Sequence, residues 1–180
     1  MQGVDKYDID WKIHYGNIKW LDVADGPGVR VAIYVSGCSV GCEGCHNAVA
    51  WDYNYGEKFN KYHMDKIITS LKDNVIEGFS ILGGEPLDKR NREDVFAMIE
   101  FVRQEVPNKT IWLWTSYTIE QIICQNIIPR SVIEKIDVIV DGKFILAERD
   151  ISLKFRGSKN QRVIDVKKYL KNEKDYILFQ

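Results

Sequence analysis

The stretch Gly37-Cys38-Ser39-Val40-Gly41-Cys42-Glu43-Gly44-Cys45 contains three cysteines with the spacing C-x3-C-x2-C. Its three glycines argue against a helix, because each is less favourable there than alanine by roughly 1 kcal/mol. The stretch is therefore predicted to be a loop, in which glycines adopt positive φ and let backbone N–H groups approach inorganic sulfide. Three thiolates so close in sequence indicate a metal centre, and they would leave one iron of a four-iron cluster open to substrate.

Two other interpretations of these cysteines stay open. A structural zinc site would need a fourth ligand, for which His46 or His63 is available, although such sites usually contain two spaced pairs of ligands. Cys42 and Cys45 could instead form a redox dithiol, but Cys38 would then have no role. A disulfide framework fits poorly with four cysteines in 180 residues, so reduced thiols are expected.

The composition predicts a single domain over residues 1–180, with a polar N-terminal extension over residues 1–17. Of the 180 residues, 45% are hydrophobic, which is enough for a sizeable core. The net charge of -1 gives no general electrostatic reason to bind nucleic acid or a membrane. The polar N-terminus and the lack of an apolar run of roughly 20 residues predict a cytoplasmic protein. Cys124 lies in an apolar run and is predicted to be a buried structural thiol.

Alternating strand and helix patterns follow the first strand. Apolar runs rich in β-branched residues predict four strands, over 29–36, 79–82, 110–115 and 136–140. A helix with a 3.6-residue apolar period is predicted over 64–75, with Val75 on its buried face. The next helix is predicted to begin near Asn91, a favourable N-cap, and to end before Pro107. This order predicts an α/β domain with a mainly parallel sheet, whose C-terminal strand ends meet at one edge.

Each predicted strand is followed by a motif at that edge. The cysteine loop follows the first, Gly83-Gly84-Glu85-Pro86 the second, Ser116-Tyr117 the third and Asp141-Gly142-Lys143 the fourth. Paired glycines alone commonly mark a turn, and an Asp-Gly pair can be a surface turn. The shared edge nevertheless predicts that the four motifs surround one cavity.

The cysteine loop together with the Gly-Gly-Glu segment resembles the radical S-adenosylmethionine (SAM) enzymes. The resemblance implies a partial (βα) barrel of radical SAM type and a 4Fe-4S cluster held by Cys38, Cys42 and Cys45, with SAM on the fourth iron. It further implies that Gly83, Gly84 and Glu85 receive the amino group of SAM. The resemblance also implies that Gly44, Cys45 and His46 lie along the adenine of SAM. Lys143 would contact the carboxylate of SAM, and Asp141 would contact its other polar groups.

Six motifs in order narrow the resemblance, over residues 18–162. They are Asp25-Gly-Pro-Gly-Val-Arg30, Cys42-Glu-Gly-Cys-His-Asn47, Gly83-Gly-Glu-Pro-Leu87, Trp112-Leu-Trp-Thr-Ser-Tyr117, Val140-Asp-Gly-Lys-Phe144 and Arg156-Gly-Ser-Lys-Asn-Gln-Arg162. Together they resemble the family of anaerobic ribonucleoside-triphosphate reductase activating proteins. Arg156 and Arg162 of the last motif are expected either to contact the cofactor or an acidic partner surface, or to belong to a solvated basic loop.

The family resemblance implies a glycyl-radical activase. Such a protein receives one electron from a donor such as a flavodoxin and cleaves SAM reductively. The resulting 5'-deoxyadenosyl radical removes hydrogen from a glycine Cα on the large subunit of the reductase. Three alternatives are an activase of a formate-lyase type enzyme, a radical SAM enzyme acting on a small molecule, and a zinc-binding interaction module.

Overall fold

A computed structural model describes residues 7–179 and contains one mixed sheet of eight strands. The strands are β1 His14–Asp22, β2 Val29–Val35, β3 Glu57–Lys58, β4 Ile76–Gly83, β5 Thr110–Trp114, β6 Val138–Asp141, β7 Arg162–Asp165 and β8 Ile177–Leu178. The α-helices are α1 Lys61–Leu71, α2 Arg92–Glu105, α3 Ile119–Cys124, α4 Arg130–Ile133 and α5 Val166–Leu170. Two short 3-10 helices, Ala48–Trp51 and Leu146–Glu148, follow the cysteine loop and β6.

The strand order across the sheet is β3-β1-β2-β4-β5-β6-β7-β8. The pairs β2–β4, β4–β5 and β5–β6 are parallel, and the remaining four pairs are antiparallel. The predicted α/β class is confirmed, but the expectation of a mainly parallel sheet is wrong. Parallel neighbours need a crossover, usually helical, and helical crossovers connect only the four central strands. The turn between β1 and β2 and the connection of residues 142–161 instead produce antiparallel neighbours.

All four predicted strands are present, with ends shifted by up to three residues. The first predicted helix begins earlier than expected, because the side chain of Asn60 accepts hydrogen bonds from the backbone of Tyr62 and His63 and caps α1. It also ends earlier, at Leu71. Val75 therefore lies beyond α1 and is exposed, so its predicted place on the buried helix face is wrong.

The main core lies between the sheet and helices α1 and α2. Fully buried side chains such as Ile67, Phe79 and Ile99 fill it. A smaller cluster of Trp112, Val138, Val140 and Val163 covers part of the opposite face. Apolar packing on both faces of the sheet therefore supports the strands that carry the four motifs. The rest of the second face is open and forms a cavity.

Arg30 links three strands of the sheet at the end opposite to the cysteine loop. Its guanidinium is fully buried and donates to Ser80 Oγ at 2.7 Å, Thr110 Oγ1 at 2.9 Å and the carbonyl of Phe79 at 3.0 Å. Burial lowers the pKa of Arg30 to about 10. The arginine of the Asp25–Arg30 motif thus joins β2, β4 and β5 through neutral acceptors, which satisfies a buried cation without a carboxylate contact.

The described part of the predicted N-terminal extension belongs to the core. Residues 1–6 lie outside the described residues, whereas Tyr7, Trp11 and Ile13 are buried. The carboxylate of Asp94 accepts hydrogen bonds from the backbone N–H groups of Lys12 and Ile13 at 2.6 and 2.7 Å. The segment is therefore fastened to α2 and leads into β1. Among residues 7–179, no helix combines the length and apolar character of a membrane span.

Candidate functional site

A cavity of about 1090 Å³ lies at the edge where the parallel strands end. The strand register explains why the motifs meet there, since Val35 of β2 lies beside Gly83 of β4 and Trp114 of β5 beside Val140 of β6. The predicted site residues on its wall are Cys38, Cys42, Gly44, Cys45, His46, Gly83, Gly84 and Glu85. Asp141 and Lys143 are not on the wall, although Gly142 between them is.

The cysteine stretch is a loop, as its glycines predict. Gly37, Gly41 and Gly44 have φ values of +95°, +59° and +71°, which non-glycine residues rarely adopt. At Gly37 space is also limiting, because a Cβ atom would lie 2.1 Å from the ring of Tyr53. At Gly41 a Cβ atom would meet no atom of residues 7–179 within 4 Å. Glycine is therefore required by packing and conformation at the base of the loop, and by backbone conformation at its tip.

Backbone hydrogen bonds hold the base of the loop on two sides. The N–H of Gly37 donates to the carbonyl of Ala50 at 2.8 Å, and that of Cys38 to the carbonyl of Trp51 at 3.2 Å. On the other side, the carbonyl of Gly37 accepts from the N–H of Glu85 at 2.9 Å. The first cysteine is thus fixed between the 3-10 helix that follows the loop and the Gly-Gly-Glu segment.

The sequence predicts that the side chain of Asn91 caps α2, and this prediction is wrong. The side chain instead joins the cysteine loop to the Gly-Gly-Glu segment. Its buried Nδ2 lies 3.1 Å from the carbonyl oxygens of Ser36 and Gly37, and 3.0 Å from that of Glu85. The residue itself has helical φ and ψ, and its side chain accepts no capping hydrogen bond. An asparagine before a helix is ordinarily a cap, so nothing in the sequence distinguishes this role.

Asp88 fixes the residue that follows the first cysteine. Its carboxylate accepts hydrogen bonds from Ser39 Oγ at 2.6 Å and from the hydroxyl of Tyr53 at 2.7 Å. Burial raises the pKa of Asp88, but these hydrogen bonds and one from the backbone of Arg90 outweigh it, and the pKa is below its ordinary value. An ionised carboxylate accepts hydrogen bonds more strongly than a protonated one. In the sequence, the only sign of this role is that Asp88 stands two residues after Pro86 of the Gly-Gly-Glu-Pro motif.

The two glycines at the end of β4, Gly83 and Gly84, are required by the protein's own packing. A Cβ atom on Gly84 would lie 2.5 Å from the carbonyl oxygen of Gly37, and one on Gly83 would lie 2.5 Å from the backbone of Val35. Gly83 also has a φ of +118°. The family resemblance implies that these glycines allow close approach of a cofactor, and the structure adds that they bring the end of β4 against the cysteine loop.

The Glu85 side chain ties the Gly-Gly-Glu segment to the end of β5. It is 2% exposed, and its carboxylate accepts from Leu87 N at 2.9 Å, Thr115 Oγ1 at 2.7 Å, Ser116 N at 2.7 Å and Ser116 Oγ at 2.5 Å. Burial raises its pKa, and the hydrogen bonds oppose the rise only in part. The four donors leave the carboxylate committed to contacts within the protein.

Asp141 is a structural anchor rather than a cavity-facing group. Its buried carboxylate accepts from Ile119 N at 2.8 Å and from Nε and Nη2 of Arg162 at 3.0 and 2.6 Å. Arg162 also contacts Glu120, with Nη2 at 2.7 Å from Oε2. The carboxylate is thus engaged inside the protein, and the expected contact between Asp141 and a cofactor stays a prediction. Lys143 is exposed, and its Nζ lies 3.5 Å from the carbonyl of Val40 at the cysteine loop.

The last sequence motif holds the Asp141–Lys143 turn residue by residue. Arg162 binds Asp141, Gln161 Nε2 donates to the carbonyl of Gly142 at 2.9 Å, and Asn160 Nδ2 donates to that of Lys143 at 2.8 Å. Arg162 is therefore used inside the protein and is not a free contact for a partner. Arg156 lies on the cavity wall, where its buried Nε has no hydrogen-bond partner among residues 7–179.

The three loop thiols fit an iron–sulfur cluster by chemistry and placement. Cys38, Cys42 and Cys45 are partly exposed on the cavity wall. Burial raises the pKa of Cys38 and Cys42, and Lys143 opposes the rise at Cys42, so binding a metal centre must displace protons from thiols. Within residues 7–179, no three His, Cys, Asp or Glu side chains converge on one ion, whereas in a cluster each cysteine binds a different iron.

Two other expectations are wrong, namely that His63 is available as a ligand and that Cys124 is buried. His63 is not available as a fourth zinc ligand, because its Nδ1 lies 3.1 Å from the backbone N–H of Asn60 and its Nε2 lies 2.9 Å from the hydroxyl of Tyr15. Cys124 is exposed rather than buried. It is the last residue of α3, whose buried face consists of Ile119 and Ile122, so the helical period turns Cys124 away from the core.

Comparison with known proteins agrees with this site. The family model described as a 4Fe-4S single cluster domain matches residues 24–164. The anaerobic ribonucleoside-triphosphate reductase-activating protein of Escherichia coli K12 is 41% identical over 145 residues, which is 79% of this chain and 92% of that protein. The proteins of the same name from Vibrio cholerae and Enterobacteria phage T4 are 41% and 35% identical, and the matches cover 78% and 84% of this chain and 90% and 93% of theirs.

Proposed function

The chain belongs to the family of anaerobic ribonucleoside-triphosphate reductase-activating proteins, and we propose that it activates such a reductase by generating a glycyl radical on its large subunit. The observation that carries the proposal is the cavity at the strand ends, with three partly exposed cysteines on one loop. When bound, a 4Fe-4S cluster and SAM supply a one-electron cleavage that produces a carbon radical able to remove hydrogen from a glycine Cα.

The chain's own residues hold and orient these groups. Cys38, Cys42 and Cys45 provide three thiolates, and the hydrogen bonds at Gly37 and Cys38 fix the loop that carries them. Gly83 and Gly84 form the wall for the methionine part of SAM, where their lack of side chains leaves backbone groups accessible. The segment from Gly44 to His46 forms the wall for adenine.

Two cations are available for the carboxylate of SAM. Lys143 is exposed beside the cysteine loop, and Arg156 lies on the wall with an unpartnered Nε. Asp141 supports this region indirectly, since it holds Arg162 and the backbone of Ile119. Charge-assisted hydrogen bonds to a carboxylate are strong enough to orient it.

The sheet supports assignment to the partial (βα) barrel of radical SAM enzymes. Its four central strands are parallel, and each ends at one of the four motifs around the cavity. We assign one radical SAM domain to residues 1–180. A one-electron donor such as a flavodoxin and a cytoplasmic location are parts of the same proposal.

The cavity is open, which suits a glycine that a partner presents. A carbon radical reacts with whatever it meets, so water and oxygen must be excluded when the glycine enters. The rim carries exposed apolar side chains, including Trp51, Tyr55 and Ile151. A peptide segment inserted between them would seal the cavity, and placing the glycine C–H bond correctly is then the main catalytic task of the protein.

The test is anaerobic reconstitution of the wild type and of the Cys38→Ala and Cys124→Ala variants with iron and sulfide. We expect wild type and Cys124→Ala to bind a cluster, and Cys38→Ala to lose it, as measured by iron and sulfide content and absorption. With SAM, reductant and the large reductase subunit, the wild type should produce a glycyl doublet in the EPR spectrum.

Two outcomes would contradict the proposal. Equal dependence of the cluster on Cys124 and Cys38 would replace the open-iron site by a four-cysteine site. A glycyl doublet that forms only with a formate-lyase type partner would assign the chain to a different activation reaction and leave the radical SAM chemistry in place.

A further inference from the structure

The outer edge of β1 is open over most of its length. β3 pairs with β1 only at His14 and Tyr15, and within residues 7–179 no other strand lies on that side of the sheet. An open edge presents backbone N–H and C=O groups that can pair with an added strand. The edge from Gly16 onward is therefore able to bind an extended chain.

A groove of about 440 Å³ runs along this open edge. Its first wall is β1 at Gly16, Asn17 and Ile18, and its second wall is the first half of α1 at Tyr62, His63 and Lys66. A groove between an edge strand and a helix is the arrangement in which several domains bind peptides by strand addition.

One end of the groove is closed by an ordered set of polar side chains. The hydroxyl of Tyr15 donates to Glu57 at 2.8 Å and lies 2.9 Å from Nε2 of His63. Nδ1 of His63 accepts from the backbone N–H of Asn60 at 3.1 Å, which places the ring proton of a neutral His63 on Nε2. These contacts fix the wall before a ligand arrives.

The other end combines exposed apolar surface with a cation. Lys66 Nζ lies 4.3 Å from the centroid of the Trp20 ring, and no carboxylate among residues 7–179 forms an ion pair with it. Leu21 and Val23, at the end of β1 and beyond it, are each 72% exposed. This end therefore suits a peptide with apolar side chains and an acidic residue.

The groove adjoins the cysteine cavity, because Gly16 and Asn17 line both. We propose that it binds an extended, acidic segment of the reductase by strand addition and so delivers the glycine loop to the cavity. The proposal rests on the proposed function. Irregular pairing at both ends limits the regular part of β1 to Asn17, Ile18 and Lys19, so the contact is short. Its effect comes from raising the local concentration of the tethered loop.

A second copy of this chain is a poorer occupant of the groove. Twofold pairing of β1 with β1 would bring two α1 helices, and two Lys66 side chains, to the same junction. Like charges placed opposite each other across a strand pair are destabilising. An acidic segment of the reductase instead pairs with Lys66.

The experiment is hydrogen–deuterium exchange of the cluster-loaded protein with and without the large reductase subunit. We expect the amides among residues 17–20 that point away from β2 to exchange at least about tenfold more slowly in the complex, as pairing of an open edge requires. Lys66→Glu should raise the reductase concentration for half-maximal radical yield by about tenfold, because a close charge pair becomes a like-charge contact. Lys72→Glu, an equal charge change at the end of the same helix, should leave it unchanged.

The outcomes separate this proposal from the proposed function. Unchanged exchange at residues 17–20 while the radical forms normally would overturn the groove proposal. Protection that increases with the protein's own concentration, without reductase, would assign the edge to a second copy and overturn it too. Reductase-dependent protection without any glycyl radical would support the docking groove and contradict the proposed chemistry.

Discussion

The two walls of the cysteine cavity are held in different ways. On one wall, residues 83–91 pack against residues 36–38 through buried backbone contacts, the amide of Asn91 and glycines that leave no room for a Cβ atom. The other wall, residues 142–161, is held by side chains such as Arg162 and Gln161. It also exposes apolar residues, and Ile151 is 89% exposed.

This difference suits the two tasks that the proposed function gives to the site. In that function metal ligands must keep their positions through repeated reactions, and the tight wall fixes the loop that carries Cys38. A partner must enter and leave, and the second wall has exposed surface and an arginine with a single hydrogen bond among the described residues, Arg156, of the kind that such contacts use. We therefore expect substitutions in the first wall to affect the free energy of unfolding and the cluster together. Substitutions in the second wall should change the free energy of unfolding or ligand binding without loss of the cluster.

Gly84→Val should have the largest effect on stability. Its Cβ atom would meet the carbonyl oxygen of Gly37 at 2.5 Å and that of Ala50 at 3.0 Å, and backbone atoms cannot move aside as a flexible side chain can. We expect a loss of about 3 kcal/mol or more in the free energy of unfolding, with loss of the cluster. Denaturant unfolding and iron content measure both. Normal cluster content in Gly84→Val would show that the first wall is not rigid. Gly41→Ala, where space is open and only the positive φ is strained, is the comparison and should lose no more than about 1–2 kcal/mol.

Asn91→Ala should have the next largest effect. The change removes the donor shared by the carbonyls of Ser36, Gly37 and Glu85. Loss of a buried hydrogen-bond donor costs about 1–3 kcal/mol, and the loop that carries Cys38 should bind iron less completely. Asn54→Ala changes an exposed asparagine of the same region and should alter neither quantity. Equal unfolding curves for Asn91→Ala and the wild type would contradict the joining role.

Arg162→Gln should cost less, because Arg162 is 27% exposed. Removing one partner of a fully buried ion pair costs about 3–5 kcal/mol, and we expect about 1–2 kcal/mol here. Asp141 would keep the backbone N–H of Ile119 as a donor. Cluster content should stay normal, since the second wall does not hold the cysteines. Arg130→Gln, which removes an exposed ion pair with Glu134, is the matched control, and a loss of iron in Arg162→Gln would contradict the comparison.

The cysteine loop and its neighbouring motifs could be predicted from sequence because spacing and strand order are local properties. Three thiolates at C-x3-C-x2-C and glycines that disfavour a helix specify a metal-binding loop, and parallel strands bring the motifs to one edge. The roles of Asn91 and Asp141 could not be predicted. Each depends on groups far away in sequence, such as the carbonyl of Ser36 and the guanidinium of Arg162, whose positions only the fold determines.

The mixed sheet has a similar explanation. Strand pattern alone predicts which residues are extended, but the direction of a neighbour depends on the connection between strands. Residues 142–161 contain glycine, serine and charged side chains with no long helical period, and they return β7 antiparallel to β6. Cys124 is exposed, contrary to its predicted burial, because apolar neighbours do not show which face of a short helix is buried.

Arg156→Gln should have the smallest effect on stability and a clear effect on ligand binding. The only hydrogen bond of its guanidinium within residues 7–179 is from Nη1 to the carbonyl of Gln161 at 3.2 Å, so we expect a loss of no more than about 1 kcal/mol in the free energy of unfolding. If Arg156 binds the carboxylate of SAM, the affinity for SAM should fall by roughly tenfold or more, as expected for a charged hydrogen bond. SAM-dependent changes in the EPR spectrum of the reduced cluster measure this affinity.

Lys143→Gln is the matched comparison, since Lys143 is the other cation available for the carboxylate. A large fall in SAM affinity for Lys143→Gln alone would assign the carboxylate to the lysine and leave Arg156 for the partner. A loss of stability in Arg156→Gln well above that in Arg162→Gln would contradict the distinction between the walls. Arg156, which has a single hydrogen bond within the described part of the chain, would then contribute more to stability than the ion-paired Arg162. Normal iron content with weakened SAM binding would instead show that the second wall receives ligands that the first wall does not hold.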